Sequence, residues 1–301
     1  MKKLIILFFT VLMSVTANAQ LLYRITGNGV VKPSFLLGTY HLAPSTFADS
    51  IPGFRQAFQS SDQVCGELDM ELMQSPSEMM KLQAAMMMPE GKTIQDLLTK
   101  EELQELNAFM TDILGVNLEN PLMGAQLGKM NPAALTTQFS VAMYLKKNQI
   151  QNINDYIDTY VQKIAKEQGK KVIGFETVDD QIKALFLSQT LERQKQLMMC
   201  MVRNKDYQIQ LSDDLVKAYF TQNLDQIYEV TDMKLNDECD STPEEEAALI
   251  YDRNENWVKS MPGIMKSTPT FFAVGAAHIV GEKGLLNLLR NNGYQVDPVK
   301  N

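Results

Sequence analysis

Two short stretches decide the fold: PSFLLGTYH at residues 33–41 and TFFAVGAAH at residues 270–278. Each is an apolar run of the length of a buried strand, and each ends in Gly-x-x-His. The chain has only two histidines, His41 and His278, and 16 glycines in 301 residues, so composition does not explain the shared pattern. Histidine is a common metal ligand and proton-transfer group near neutral pH, which favours a chemical site. The competing interpretation is two unrelated turns in which Gly supplies backbone freedom.

Two further apolar segments also end in Gly and a chemically capable side chain. Residues 63–66 precede Glu67, and residues 171–175 precede Glu176. In α/β folds, ligands bind at the carboxyl ends of the strands. The four segments therefore predict one pocket formed by four strand ends.

The surroundings of the two histidines predict an α/β (or α+β) fold with a central mixed sheet. After His41 come a helix over 52–60 and a strand over 62–68, and after His278 a helix over 282–291 and a strand over 294–299. These are two β-α-β halves. Between them we expect a large helical insertion at about 76–147, since capping signals open helices near Ser75 and Thr99. Further helices are expected over 132–146, 154–168, 178–203 and 213–222, and from Thr242 onward.

The first nineteen residues are predicted to be a signal peptide, with a basic start, a short apolar core and the A-x-A signal Ala17-Asn18-Ala19. Cleavage near Gln20 would leave a single domain at 20–301 without a transmembrane segment, in the periplasm or secreted. In such an oxidising compartment Cys200 and Cys239 are able to pair, which would leave Cys65 buried in a strand. The net charge of −8, without a basic cluster, argues against nucleic-acid binding.

His41 and His278 are the candidate metal ligands, with Glu67 or Glu176 as the oxygen ligand. Two imidazoles and a carboxylate with an open position suit a metal that activates water, and Zn²⁺ is one such ion. The same groups also suit a metal-free hydrolase, with one histidine as general base oriented by a glutamate. Strand alternation places Glu67 and Asp69 on one side, and Glu67 is favoured because it follows its glycine directly.

Three more residues are candidates for the catalytic machinery. Glu176 is either catalytic or a carboxylate at the N-terminus of the following helix. Arg253 is expected on a covering helix, four residues before Trp257, where its guanidinium would clamp a substrate carboxylate or stabilise an oxyanion. Tyr40 either donates to an oxyanion or packs.

The methionine cluster at 73–88 is interpreted as a flexible apolar face, in the core or as a lid over a peptide groove, in preference to a Cu(I) site.

The motifs and their order resemble the TraB/GumN family, which includes the Tiki proteins. The resemblance runs from about Leu22 to the C-terminus. It rests on the two Gly-x-x-His motifs, GELD at 66–69, GFET at 174–177 with Gln181, and Arg253-Asn254.

The resemblance implies a metal-dependent peptidase that uses Mn²⁺ or Co²⁺ and acts on extracytoplasmic peptides or proteins. By position, His41 and His278 match the family's histidines, Glu67 its first-half glutamate and Arg253 its arginine. Related folds also include haem-binding proteins, and fold kinship does not transfer function. A non-catalytic protein that sequesters a peptide or haem therefore stays open as an alternative. The oligomeric state is not indicated.

Overall fold

The computed structural model describes residues 20–149, 155–266 and 268–300. The predicted signal peptide at 1–19 lies outside the described residues. Within them, six strands form one sheet in the order β4-β3-β5-β2-β1-β6. The strands are β1 (Leu22–Gly27), β2 (Ser34–Thr39), β3 (Gln63–Gly66), β4 (Lys171–Gly174), β5 (Thr270–Gly275) and β6 (Tyr294–Pro298).

The four strands that precede the candidate residues are parallel and adjacent. β5 pairs with both β2 and β3, and β3 pairs with β4. Their carboxyl ends therefore lie along one edge of the sheet, as the sequence predicts.

The mixed character of the sheet comes from β1, which the sequence analysis did not predict. β1 is antiparallel to β2 on one side and to β6 on the other. β6 thus runs in the direction of β2 and β5, and both predicted β-α-β connections are present. The predicted α/β fold with a mixed sheet is confirmed.

The described residues contain thirteen α-helices, and two π-helical segments interrupt the later ones, at Lys183–Leu187 and Ala247–Tyr251. The helices are α1 (Phe54–Ser60), α2 (Pro76–Ala85), α3 (Lys100–Leu114), α4 (Met123–Leu127), α5 (Pro132–Asn148), α6 (Ile157–Glu167), α7 (Val178–Ile182), α8 (Leu191–Arg203), α9 (Lys205–Phe220), α10 (Leu224–Thr231), α11 (Pro243–Glu246), α12 (Asp252–Met265) and α13 (Leu285–Asn291). Throughout the described ranges, every helix is too short or too polar to cross a membrane.

The prediction of one continuous helix over 178–203 is wrong. The chain leaves the π-helical segment at Ser188, and α8 starts afresh after Thr190, whose side chain accepts a hydrogen bond from the Arg193 N–H. Such an N-cap satisfies a backbone donor that has no partner inside the helix, so it stabilises a new start.

The buried side chains form one large cluster around the sheet, a second among the helices and a small third one of Leu68, Val178 and Ile182. The sheet cluster includes Leu36, Phe271 and Phe272. The second joins α3 and α5 of the predicted insertion to α8 through residues such as Leu106, Phe139 and Met198. The helices of the predicted insertion thus share an apolar interior with α8, which lies beyond the predicted bounds of 76–147.

The pairing of Cys200 and Cys239, which the sequence allowed but did not establish, is present. Cys200 on α8 is bonded to Cys239, 39 positions along the chain, and Cys65 is a buried free thiol in β3. The bond closes a loop that contains α9 and α10.

Replacing both Cys200 and Cys239 with Ala is expected to lower the free energy of unfolding by about 2–4 kcal/mol, because the unfolded chain regains the freedom of that loop. Denaturant unfolding of the double variant, beside the wild type with and without reductant, measures the loss. The reduced wild type should match the variant. An oxidised wild type no more stable than the variant would contradict the prediction.

Candidate functional site

A cavity of about 630 Å³ lies over the carboxyl ends of β2, β3 and β5, whereas the fourth predicted strand end, that of β4, is not part of its lining. His41, Glu67 and His278, which follow β2, β3 and β5, all line it. Arg253 reaches the same cavity from α12, the helix that precedes β5. Glu176 follows β4 and contacts Arg253. The structure therefore brings the five main candidate residues together.

Arg253 is the centre of this group, and its side chain is only 12 % exposed. Nε and Nη2 donate to the two oxygens of Glu176 at 2.7 and 2.9 Å, and Nη2 also donates to Glu67 Oε2 at 2.8 Å. Nη1 donates to the Leu249 carbonyl at 2.9 Å and lies 3.1 Å from His278 Nε2. A guanidinium has five N–H donors, and here all five have acceptors. Arg253 thus fixes both glutamates and His278 relative to α12.

Glu67 is held at both oxygens. Oε1 accepts from the Gly275 N–H at 2.8 Å and lies 4.0 Å from His278 Nε2, while Oε2 accepts from Arg253. Burial raises the pKa of this carboxyl, but the positive charges of His41 and Arg253 and the Gly275 N–H bring the pKa below its ordinary value. Glu67 is therefore a fixed, ionised carboxylate at neutral pH.

His278 is buried, and its tautomer follows from Asn254. The Asn254 amide nitrogen donates to the carbonyls of His278 and Lys283, so its Oδ1 is the acceptor for His278 Nδ1–H at 2.7 Å. The lone pair is therefore on Nε2, where Arg253 Nη1 donates. Burial lowers the pKa of His278 to about 4, and the positive charges of Arg253 and His41 act in the same direction. His278 is neutral, as a metal ligand must be.

His41 differs from His278, since its ring is 69 % exposed. Its Nδ1 lies 3.1 Å from Asp158 Oδ2, and Thr39 Oγ1 donates to Asp158 Oδ1 at 2.5 Å. The hydrogen bond with Asp158 raises the pKa of His41 to about 9. Binding of a metal at Nε2 would therefore displace a proton.

Glu176 does not cap the following helix, so that alternative is wrong. Thr177 is the N-cap of α7 and forms a capping box with Asp180. Glu176 instead accepts from Arg253 and from Trp257 Nε1 at 2.9 Å. A carboxylate at the end of β4 is thus used to hold Arg253.

The prediction that Glu67 and Asp69 share one side of a strand is also wrong, because β3 ends at Gly66. Asp69 turns away and pairs with Lys166 at 3.1 Å. At this point the chain passes close to β4: a Cβ on Gly174 would lie 2.8 Å from the Asp69 nitrogen and 2.9 Å from the Leu68 Cα. Only glycine fits at Gly174.

Tyr40 lines the cavity within an aromatic group. Its ring lies 6.2 Å from that of Tyr144, edge to face, and 5.5 Å from that of Tyr219. Burial raises the pKa of the Tyr40 hydroxyl, which therefore stays protonated and able to donate. Packing accounts for the ring position, and an oxyanion role stays a prediction.

The methionine cluster is divided in the structure. Met88 is buried, Met73 lines the cavity, and Met79 and Met80 on α2 are 56 % and 70 % exposed. A core position is therefore wrong for Met79 and Met80.

Sequence reasoning assigned no role to Asp158, Asn254 or the Gly275 N–H. Asp158 lies in the first turn of α6, where an acidic residue is ordinary and carries no signal of a site. Asn254 follows Arg253 directly, and its place in that motif was the only feature of the sequence that pointed to a role at the site.

The chemistry of the potential ligands His41, His278 and Glu67 suits a divalent metal. His278 presents an Nε2 lone pair, His41 has its Nδ1 held by a carboxylate, and Glu67 is ionised, which is how metal-site histidines and carboxylates are commonly arranged. In the part of the chain that is described, however, no three His, Cys, Asp or Glu side chains are close enough together to hold an ion. Binding at His278 Nε2 also requires release of the Arg253 Nη1 contact.

The similarity of the chain to known proteins agrees with the family resemblance of its motifs. The model of the TraB/PrgY/gumN family matches residues 21–298. Relatives include Metalloprotease TIKI2 of Danio rerio, 25 % identical over 309 residues, TIKI2 of Xenopus tropicalis, 26 % over 303, and Metalloprotease TIKI1 of Homo sapiens, 27 % over 313. Each alignment covers 88 % of this chain and 57–59 % of the relative, so the chain spans about three fifths of their length. No solved structure matches the chain. The family match covers nearly all of the described residues, and the chain belongs to the TraB/PrgY/gumN family.

Proposed function

We propose that the protein is a metal-dependent peptidase that acts on extracytoplasmic peptides or proteins. The observation that carries the proposal is the convergence of His41, His278 and the ionised Glu67 on one cavity at the ends of parallel strands. The naming of relatives as metalloproteases supports it. His41, His278 and Glu67 would hold the ion, with Mn²⁺ or Co²⁺ favoured by the family resemblance and Zn²⁺ as a further candidate. A bound ion would supply Lewis acidity and a water of lowered pKa.

The protein's own groups have separable tasks in this proposal. Asn254 and Asp158 orient the two imidazoles through their Nδ1 atoms. Glu176 holds Arg253, and Arg253 holds Glu67. Arg253 Nη1, once released from His278, is a donor for negative charge that develops on a scissile carbonyl. Tyr40 is a second candidate donor in the same cavity.

The extracytoplasmic setting is part of the proposal. A disulfide between Cys200 and Cys239 suits an oxidising compartment, in line with the predicted signal peptide at 1–19. We therefore propose that the protein acts in the periplasm or outside the cell.

The central experiment is a comparison of bound metal and peptide cleavage in the wild type, His41→Ala and His278→Ala. We expect about one ion in the wild type and much less in both variants. Cleavage of a peptide mixture with Mn²⁺, Co²⁺ or Zn²⁺ should be lost on chelation and restored by the ion. Equal metal content in all three proteins would overturn the metal assignment.

A metal-free hydrolase is the second candidate, and one observation favours it. His41 Nδ1 is bonded to Asp158, as in a general base oriented by a carboxylate, and Arg253 already occupies His278 Nε2. Cleavage that survives chelation would support this candidate. A haem absorption band that depends on both histidines, without any cleavage, would instead indicate a binding protein.

Asp158→Asn is expected to lower metal affinity and hydrolysis by about 10–100-fold, as is typical when the partner of a metal-binding histidine is lost. Isothermal titration with Mn²⁺ and a cleavage assay measure the two effects. The matched control is Asp155→Asn, because Asp155 lies three residues earlier and bonds Ser45 instead of His41. Equal behaviour of the two variants would contradict the positioning role.

A further inference from the structure

The cavity has a charged end and an apolar wall, and the proposed reaction uses only the charged end. Glu67, Arg253 and His278 lie at the charged end. Most of the exposed surface inside the cavity is apolar. The wall includes Met70, Met73, Leu185, Phe186, Leu249 and Ile250. A site of about 630 Å³ with a few polar groups at one end has the usual form of a ligand pocket.

Two leucines of this wall are open to solvent, Leu185 at 48 % and Leu249 at 41 % exposure. They lie on the two π-helical segments, Lys183–Leu187 and Ala247–Tyr251, which contact each other. π-Helical turns are rare and occur frequently at functional sites. Exposure alone is ordinary for a leucine, but these two present apolar surface inside the cavity, next to its polar groups.

The wall is joined directly to the polar end. The Leu249 carbonyl accepts a hydrogen bond from Arg253 Nη1, and the segment that carries Leu249 continues into α12, which carries Arg253. An apolar group against Leu249 would therefore lie next to the groups proposed to act on the scissile bond. An acidic group there would lose its hydration against apolar surface without gaining a free partner in Arg253, because all five Arg253 donors already have acceptors.

Building on the proposed function, we propose that this wall is a specificity subsite for a large apolar side chain, such as Phe, Leu or Met, of a peptide substrate beside the bond to be cleaved. Leu185 and Leu249 are its specificity-determining residues. Removing apolar surface from water supplies the preference, which should exceed about tenfold between Phe and Ala.

The test measures binding, so that it does not depend on turnover. Fluorescently labelled Gly/Ser peptides with one central Phe, Leu, Ala or Asp are titrated with the purified protein, and anisotropy gives their affinities. We expect Phe and Leu peptides to bind at least about tenfold more tightly than Ala, and Asp to bind most weakly. Similar affinities for Phe and Ala, or no binding of any peptide, would overturn the inference.

Variants then locate the subsite. Leu185→Ser and Leu249→Ser should each reduce the Phe-over-Ala preference several-fold. The matched control is Leu187→Ser: Leu187 lies in the same π-helical segment as Leu185, is 63 % exposed, and is not part of the cavity wall. The assignment would be overturned if Leu187→Ser lost as much of the Phe-over-Ala preference, or if Leu185→Ser and Leu249→Ser lost none of it. Thermal unfolding of all three variants checks that the fold is intact, as expected for exposed positions.

The cleavage sites in a peptide mixture distinguish this inference from the proposed function. Mass spectrometry of the products formed with Mn²⁺, Co²⁺ or Zn²⁺ should show large apolar residues beside the cleaved bonds. Cleavage without such enrichment would overturn the inference and leave the peptidase proposal standing. Absence of cleavage would contradict the peptidase proposal, and the anisotropy ranking would still decide whether the wall selects apolar side chains.

Discussion

Replacing Arg253 with Met is expected to lower the free energy of unfolding by about 3–5 kcal/mol. The reason is that Arg253 joins two carboxylates, Glu67 and Glu176, whose side chains are 12 % and 8 % exposed. With Met at this position, both carboxylates stay buried without the cation that pairs with them. Arg253→Lys should restore only part of the loss, since an ammonium cannot reproduce the two-pronged contact with Glu176. Denaturant unfolding measures both changes.

Two further variants make this prediction specific. Arg55→Met removes a similar ion pair with Asp49 on the surface, where both side chains are at least half exposed, and should leave stability unchanged within measurement. Glu176→Gln combined with Arg253→Met should destabilise by less than the sum of the single changes, because the two side chains form one unit. If Arg253→Met behaves like Arg55→Met, the buried network is not an important source of stability.

Replacing His278 with Ala is expected to reduce metal binding and peptide hydrolysis by more than about 100-fold, beyond the 10–100-fold typical of a lost supporting contact. His278 supplies the neutral Nε2 at the centre of the proposed site. The change also leaves Asn254 Oδ1 without a partner, at a cost of about 1–3 kcal/mol in stability. Metal titration and cleavage rates should therefore be compared at a temperature where the variant is folded.

Two comparisons separate the role of His278 from a general effect on the fold. Asn254→Ala keeps the imidazole but removes its Nδ1 partner, so it should reduce metal affinity less than His278→Ala does. Lys283→Ala changes a neighbouring residue whose ammonium lies over the Tyr251 ring, and it should leave metal affinity unchanged. If His278→Ala hydrolysed peptides at the wild-type rate, this histidine would have no role in the mechanism.

The strand ends could be predicted because their signal is local. An apolar run that ends in Gly and a polar residue places Glu67, Glu176 and both histidines at the same sheet edge, provided that the strands are parallel. Which side chains these residues contact depends on tertiary packing and cannot be predicted from the local sequence. Asp158 reaches Thr39 and His41 only because α6 packs against β3, β4 and β5 and brings its first turn to the end of β2, and no pattern near Asp158 indicates that contact.

The errors in secondary structure have different causes. Apolar periodicity continues from 178 to 203, but Thr190 offers its side chain as a cap and the chain starts a new helix there. β1 is as long as β2, but it lies between β2 and β6, and β6 comes from the other end of the chain. The first error thus comes from a local side-chain hydrogen bond, and the second from a strand pairing that is distant in sequence.

The order of strands in the sheet has a consequence for folding kinetics. Phe35 in β2 pairs with Phe271 in β5, and Gln63 in β3 with Thr270, so the centre of the sheet joins segments from opposite ends of the sequence. Closing such long loops costs entropy before any contact compensates for it, and folding rates fall as contacts become less local. By contrast, α3, α5 and α8 pack within a shorter part of the chain. We therefore expect the helical cluster to acquire protection from hydrogen exchange first during refolding, and the cavity to form last, when β5 enters the sheet.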